Sequence, residues 1–122
     1  MLRKNLGIDL GTKQISIGST EEGLLLREPA VAAMDIDTDE VVEAGTPAMR
    51  LVEANPDRLR LFCPLWDSVV KSASVLSAIL RIFLRRAVGR TMLKPQVMVS
   101  IPCDLTEAQT NAVEDAVLAA GV

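Results

Sequence analysis

The first forty-five residues alternate short apolar runs with polar turns, at the period of a strand rather than a helix. Leu6–Leu10 is a short apolar strand whose turn lies in Asp9-Leu10-Gly11-Thr12-Lys13. Ile15 and Ile17 alternate with Gln14, Ser16 and Gly18, as in a half-buried second strand. Glu21-Glu22-Gly23 makes the next turn and Gly23–Arg27 begins a third strand, completing a β-meander. Pro29 lacks an N–H and so requires an edge position or a bulge. Extended chain resumes over Ala30–Met34, an acidic turn covers Asp35–Glu40, and Val41–Ala44 forms a short strand.

Helical periods follow. Thr46-Pro47 is a helix start, with Thr46 as N-cap and Pro47 at the first helical position; that helix ends before Asn55-Pro56. Asp57–Val70 has no clear period and reads as largely irregular. From Ser72, the residues Val75, Leu76, Ile79, Leu80, Phe83, Leu84 and Ala87 make one apolar face, and Gly89 closes the helix. Val97-Met98-Val99-Ser100-Ile101 is a nearly continuous apolar run, the pattern of a strand covered on both faces. Thr106 opens the last helix with Gln109 as its capping-box partner, and Gly121 ends it. Antiparallel strands followed by alternating helix and strand predict an α/β fold: a mixed sheet, its meander joined by a parallel strand, with helices packed on it.

Composition removes several functions. The 122 residues suffice for one domain or a part of one. There is no histidine, which excludes His-based zinc sites and Ser-His or Cys-His catalysis. Aromatic residues are 2% of the chain, too few for a platform that stacks single-stranded bases. A net charge of −3 is equally unsuited to binding phosphate backbones, so nucleic acid is not an expected partner. Two cysteines, Cys63 and Cys103, are too few for a disulfide scaffold and read as reduced thiols of a cytoplasmic protein. Acidic residues crowd 35–43 and basic residues crowd 81–94, which read as solvated faces, with head-to-tail attraction between copies as the alternative.

One segment carries chemistry: Gly7-Ile8-Asp9-Leu10-Gly11-Thr12-Lys13-Gln14. A tight glycine-bearing turn between strands leaves backbone N–H groups converging on a concavity that suits phosphate. Gly11 allows close approach, Thr12 adds a hydroxyl, and Lys13 adds a compact positive charge. Asp9 would repel bare phosphate, so a Mg²⁺ held through water is its natural partner. Spacing alone leaves an ordinary hairpin turn as the alternative. Neither the P-loop pattern nor the dinucleotide fingerprint occurs.

Leu6-Gly7-Ile8-Asp9-Leu10-Gly11-Thr12 resembles the first phosphate motif of the actin-like ATPase superfamily. Three further segments resemble one branch, the bacterial cell-shape protein MreB and its paralogues such as Mbl. They are Met1-Leu2-Arg3-Lys4, Arg27-Glu28-Pro29-Ala30-Val31, and Lys94–Pro102 followed by Thr106-Glu107-Ala108; Pro64–Val70 is a looser match. The resemblance implies a ribonuclease H-like half-domain with a core subdomain over residues 1–33 and 71–122, lacking its last strand, and a small inserted subdomain over residues 34–70. It assigns Asp9, Gly11, Thr12, Lys13 and Gln14 to the first phosphate loop. Lys13 and Gln14 depart from the family's usual alanine and asparagine.

The implied cofactor is ATP or ADP with Mg²⁺, which Asp9 would hold through water. The implied activity is that of an ATPase forming membrane-associated filaments that set rod shape. The partners would be further copies of the chain, the inner face of the cell membrane and the cell-wall synthesis machinery. Met92 and Leu93, flanked by Arg90 and Lys94, match the family's membrane-touching loop. The second phosphate motif, adenosine motif and catalytic glutamate of the family fall beyond Val122, so no catalytic residue is expected within these residues, and ATP binding by them alone should be weak. Two alternatives remain: a nucleotide-incompetent regulator of filaments, or the first lobe of a sugar or acid kinase. Glu28-Pro29-Ala30-Val31 argues against the kinase.

Overall fold

The computed structural model describes residues 4–65, 72–89 and 93–122. Among these residues seven strands and three helices follow in the order β1 (Asn5–Leu10), β2 (Gln14–Ser19), β3 (Gly23–Pro29), β4 (Ala32–Asp35), β5 (Val41–Ala44), α1 (Thr46–Ala54), β6 (Leu59–Phe62), α2 (Ala73–Val88), β7 (Gln96–Ser100) and α3 (Glu107–Ala119). They form a four-stranded sheet ordered β3-β2-β1-β7 and a three-stranded sheet ordered β5-β4-β6. In the first sheet, β1, β2 and β3 are an antiparallel meander and β7 runs parallel to β1. The second sheet is antiparallel throughout.

The alternation in β1 decides which face is covered. Leu6, Ile8 and Leu10 are buried, together with Ile15 and Ile17 of β2, while Asn5, Gly7 and Asp9 face outward. The buried set forms one cluster with Leu76, Ile79, Leu80 and Phe83 of α2 and Val113, Ala116 and Val117 of α3. Both long helices therefore cover the same face, and among the described residues the opposite face carries no helix. This corrects the expectation that β7 is covered on both faces: Gln96, Met98 and Ser100 are exposed, and Met98 is 81% exposed. An apolar methionine among valines conceals a strand with one covered face.

α2 joins the two sheets, packing on β2 and β3 of the first, on β5 of the second, and on α3. Its N-cap is Ser72, whose hydroxyl accepts from the Val75 N–H, and Gly89 at φ 69° ends it. α3 has the expected capping box between Thr106 and Gln109. A smaller cluster of Val31, Ala33 and Ala48, with Val52 and Cys63 against it, fills the space between the second sheet and α1.

Two expectations fail here for local reasons. Thr46 is not an N-cap; it is the first residue of α1, and Gly45 at φ 73° precedes it without a side-chain cap. The capping oxygen comes from β3 instead. The Glu28 carboxylate accepts from both the N–H of Thr46 at 2.9 Å and its hydroxyl at 2.8 Å. A carboxylate suits this place because a helix N-terminus presents unpaired donors and partial positive charge. A Cβ on Gly45 would lie 2.8 Å from the Glu28 carboxylate and 3.1 Å from the Phe83 ring, so glycine is required. The second failure is β6, which pairs with β4 inside the stretch read as irregular. Its burial does not alternate, because Arg60 lies over the Phe62 ring and pairs with Asp39 across the sheet.

Replacing Glu28 with alanine is expected to cost about 1–3 kcal/mol in chemical denaturation, since it strands two donors of α1. Glu28→Gln, which keeps an acceptor, should cost less. At the β4–β5 turn, the N–H groups of Thr38 and Asp37 hold the Asp35 carboxyl below its ordinary value. A carboxyl lowered on folding contributes stability that is full above its ordinary value and disappears as pH falls through the lowered one. An NMR titration should place the Asp35 midpoint below that of the Asp35 side chain in the denatured chain, with the turn loosening on the acid side.

Candidate functional site

The phosphate-loop candidates lie where β1 turns into β2. The Gly11 N–H donates to the Gln14 carbonyl at 2.9 Å, closing the turn, and the Lys13 carbonyl accepts from the Ala30 N–H at 2.9 Å. Two acceptors of the loop are thus engaged. The N–H groups of Thr12 and Lys13, by contrast, take part in no hydrogen bond among the described residues. Successive free backbone donors in a turn make an anion-binding concavity. Thr12 is half-buried, and the side chains of Lys13 and Gln14 are exposed beside it.

Gly11 has a structural role in the turn itself. A Cβ there would come 2.9 Å from the Gln14 carbonyl oxygen, so the missing side chain makes room for the turn to close on itself. Its N–H is already committed within that turn and is not free for a ligand.

Asp9 is exposed on the helix-free face, one residue before the end of β1. Its register partners are Ser16 on β2 and Ser100 on β7, and Ser16 in turn pairs with Arg27 on β3. A polar row therefore crosses the sheet next to the loop, with the Arg27 Nε donating to the Ser16 hydroxyl at 3.2 Å. Ser16, Ser100 and Arg27 are neighbours of the site that the sequence reading did not single out. The signal for Ser16 was present in the alternation of β2, whereas Ser100 and Arg27 required the strand order. Immediately beyond this row, Gly7 has open space where a Cβ would be, so the sheet surface stays low.

The donor set also limits what cation could bind. No group of three or more acidic, cysteine or histidine side chains is assembled among the described residues. A single exposed carboxylate fits a Mg²⁺ carried by phosphates and its own waters, and does not fit a resident metal. Of the membrane-contact candidates, Met92 falls outside the described residues and Leu93 is 41% exposed. No helix among the described residues is long and apolar enough to cross a membrane.

The sheet order, the one-sided helices and the glycine turn together match known proteins. A family model described as MreB/Mbl protein matches residues 3–122. The chain belongs to the MreB/Mbl family. It is 31% identical over 117 residues to the cell shape-determining protein Mbl of Bacillus subtilis, covering 95% of this chain and 35% of that protein. It is 26% identical over 127 aligned positions to the cell shape-determining protein MreB of Escherichia coli, covering 99% of this chain and 37% of that one. The chain thus spans about a third of the length of these relatives. In fold it resembles MreB 5 of Spiroplasma citri bound to AMPPNP, with a TM-score of 0.78 at 22% identity over 100% of this chain and 37% of that one. It also resembles the MamK double helical filament, at 0.69 and 15% over 94% of this chain and 37% of that one. The fold is accordingly an actin-like, ribonuclease H-like half-domain.

Gly11→Ala should destabilise this MreB/Mbl-family chain by about 1–3 kcal/mol in denaturant titrations, because the methyl group meets backbone that cannot yield cheaply. Burial raises the Cys63 thiol, while Cys103 is exposed. Mass spectrometry after brief alkylation at neutral pH should find Cys103 modified well before Cys63.

Proposed function

We propose that this chain is the first, phosphate-binding part of an MreB-like cell-shape ATPase. Residues 1–33 and 71–122 form its core subdomain, and residues 34–70 are inserted in it. The β1–β2 turn receives the phosphates of ATP or ADP. Thr12 and Lys13 donate backbone N–H groups, the Thr12 hydroxyl and the Lys13 ammonium add a donor and a charge, and Gln14 borders the loop with its amide. Asp9 orients a Mg²⁺ through its water shell. When bound, that ion offsets the charge of the phosphates and removes the repulsion that Asp9 would otherwise exert.

The observation that carries this reading is the pair of unengaged N–H groups at Thr12 and Lys13, next to a carboxylate on an open sheet face. The relatives support it: the Spiroplasma citri protein was crystallised with AMPPNP and with ADP. In the complete protein the same lobe would take part in self-association into cytoplasmic filaments at the inner face of the membrane. Met92 and Leu93 would touch the lipid, and the filament would act on the cell-wall synthesis machinery. A nucleotide held between two lobes is held poorly by one. The 122 residues alone therefore bind weakly and do not hydrolyse ATP.

Amide NMR of the chain titrated with ATP and Mg²⁺ tests the site. Thr12 and Lys13 amides should shift with an apparent Kd in the millimolar range, about −4 kcal/mol. Asp9→Asn should abolish the dependence on Mg²⁺ while leaving the fold intact. Shifts that ignore Mg²⁺, or that cluster away from residues 11–14, would count against the assignment.

A further inference from the structure

Helix α2 and strand β5 enclose a cleft of about 340 Å³, lined by Glu43 of β5 and by Arg81, Ile82, Arg85 and Arg86 of α2. It lies on the β2–β3 side of the first sheet, because α2 packs on those strands and on β5. Three guanidinium groups thus gather in one recess of a chain whose net charge is −3. Such a recess focuses its field on an incoming ion of opposite sign.

Two of the three guanidiniums are held in advance. Arg81 donates to the Ala119 carbonyl at 2.9 Å. Arg86 donates to the Ala44 carbonyl at 3.2 Å, pairs with Glu43 and lies 5.9 Å from the centre of the Phe83 ring. A guanidinium carries more N–H donors than these contacts use, so both keep donors for a ligand. Arg85 stands between them, exposed and without a hydrogen-bond or ionic partner among the described residues. Groups already ordered before binding lose little freedom when a ligand arrives.

We propose that this cleft receives an acidic peptide segment of another protein, extended and with carboxylates at alternate positions. The chain itself shows that a carboxylate suits the place, since Glu43 is seated on Arg86. Arg81 and Arg85 are one helical turn apart, so their stems start about 5–6 Å from each other. Alternate residues of an extended chain are about 6–7 Å apart, which matches one carboxylate to each arginine. The half-buried Ile82 lies between them as an apolar floor for the stems of the acidic side chains. Glu43 opposes the concentrated charge of a polyphosphate more than the spaced charges of a peptide. A recess between a helix and a strand is likewise closed to the flat surface of a bilayer. The inference goes beyond the ATPase reading and needs no residue of the β1–β2 turn.

A fluorescein-labelled peptide alternating glutamate with serine, titrated into this chain at low salt, tests the cleft. Fluorescence anisotropy should give a dissociation constant of about 10–500 µM. That constant should rise with salt, as exposed charges are screened. Arg85→Glu should weaken binding at least about tenfold with an unchanged circular dichroism spectrum, because Arg85 holds nothing in the free chain. The same change of charge on α1, Arg50→Glu, should leave the affinity within about twofold. In amide spectra the peptide should shift residues 43–44 and 81–86 and leave Thr12 and Lys13 in place. No binding, an equal loss in both variants, or shifts centred on the β1–β2 turn would overturn the proposal. So would phosphatidylglycerol vesicles that bind where the peptide does not and lose that binding in Arg85→Glu.

Discussion

Residues 44 to 46 are held from two directions, and both sheets take their mutual position from that grip. The Arg86 guanidinium donates to the Ala44 carbonyl, pairs with Glu43 and lies over the Phe83 ring. The Glu28 carboxylate takes both donors of Thr46, and Gly45 fits between Glu28 and Phe83 because it has no side chain. Helix α2 and strand β3 thus share one short link, the link by which the second sheet passes into α1. Because the bonds from Arg86 to Ala44 and from Thr46 to Glu28 are partly buried, losing either partner leaves the other unsatisfied.

The candidate site depends on this arrangement at one remove. With α2 and α3 on the same face of the first sheet, the polar row of Arg27, Ser16, Asp9 and Ser100 is left on the other, beside the β1–β2 turn. Ala30, immediately after β3, anchors the Lys13 carbonyl of that turn. The segment that runs from β3 toward the second sheet therefore also braces the loop proposed to receive phosphate. A shift at Glu28 would be felt at Lys13 through two residues of backbone.

Much of this was legible in the sequence because it is local. The alternation of Ile15 and Ile17, the apolar stripe from Val75 to Leu84 and the Thr106–Gln109 box each report on neighbours a few residues apart, and each has its expected form. The failures have a common physical origin in contacts distant along the chain. Thr46 resembled a cap because a threonine before a proline usually is one, and nothing local announces a carboxylate eighteen residues earlier. β6 became a strand because β4 had a free edge to offer, and Arg60 disguised it by pairing with Asp39. At Gly11 only the turn geometry reveals that the space a side chain would need is taken by the Gln14 carbonyl. The turn donors at Thr12 and Lys13 followed from the hairpin itself; the serines flanking Asp9 did not.

The two sheets do not share the core equally. The second sheet buries Ala32, Met34 and Ala44 in the main cluster with α2, whereas among the described residues only Val31, Ala33 and Ala48, with Val52 and Cys63 against them, form the separate small cluster against α1. An element held by so small a cluster opens at lower free energy than the body that carries it. Helix α1 is thus the element expected to come away first, while the second sheet stays with the body through its other face, and the grip on residues 44–46 sets how far that opening spreads.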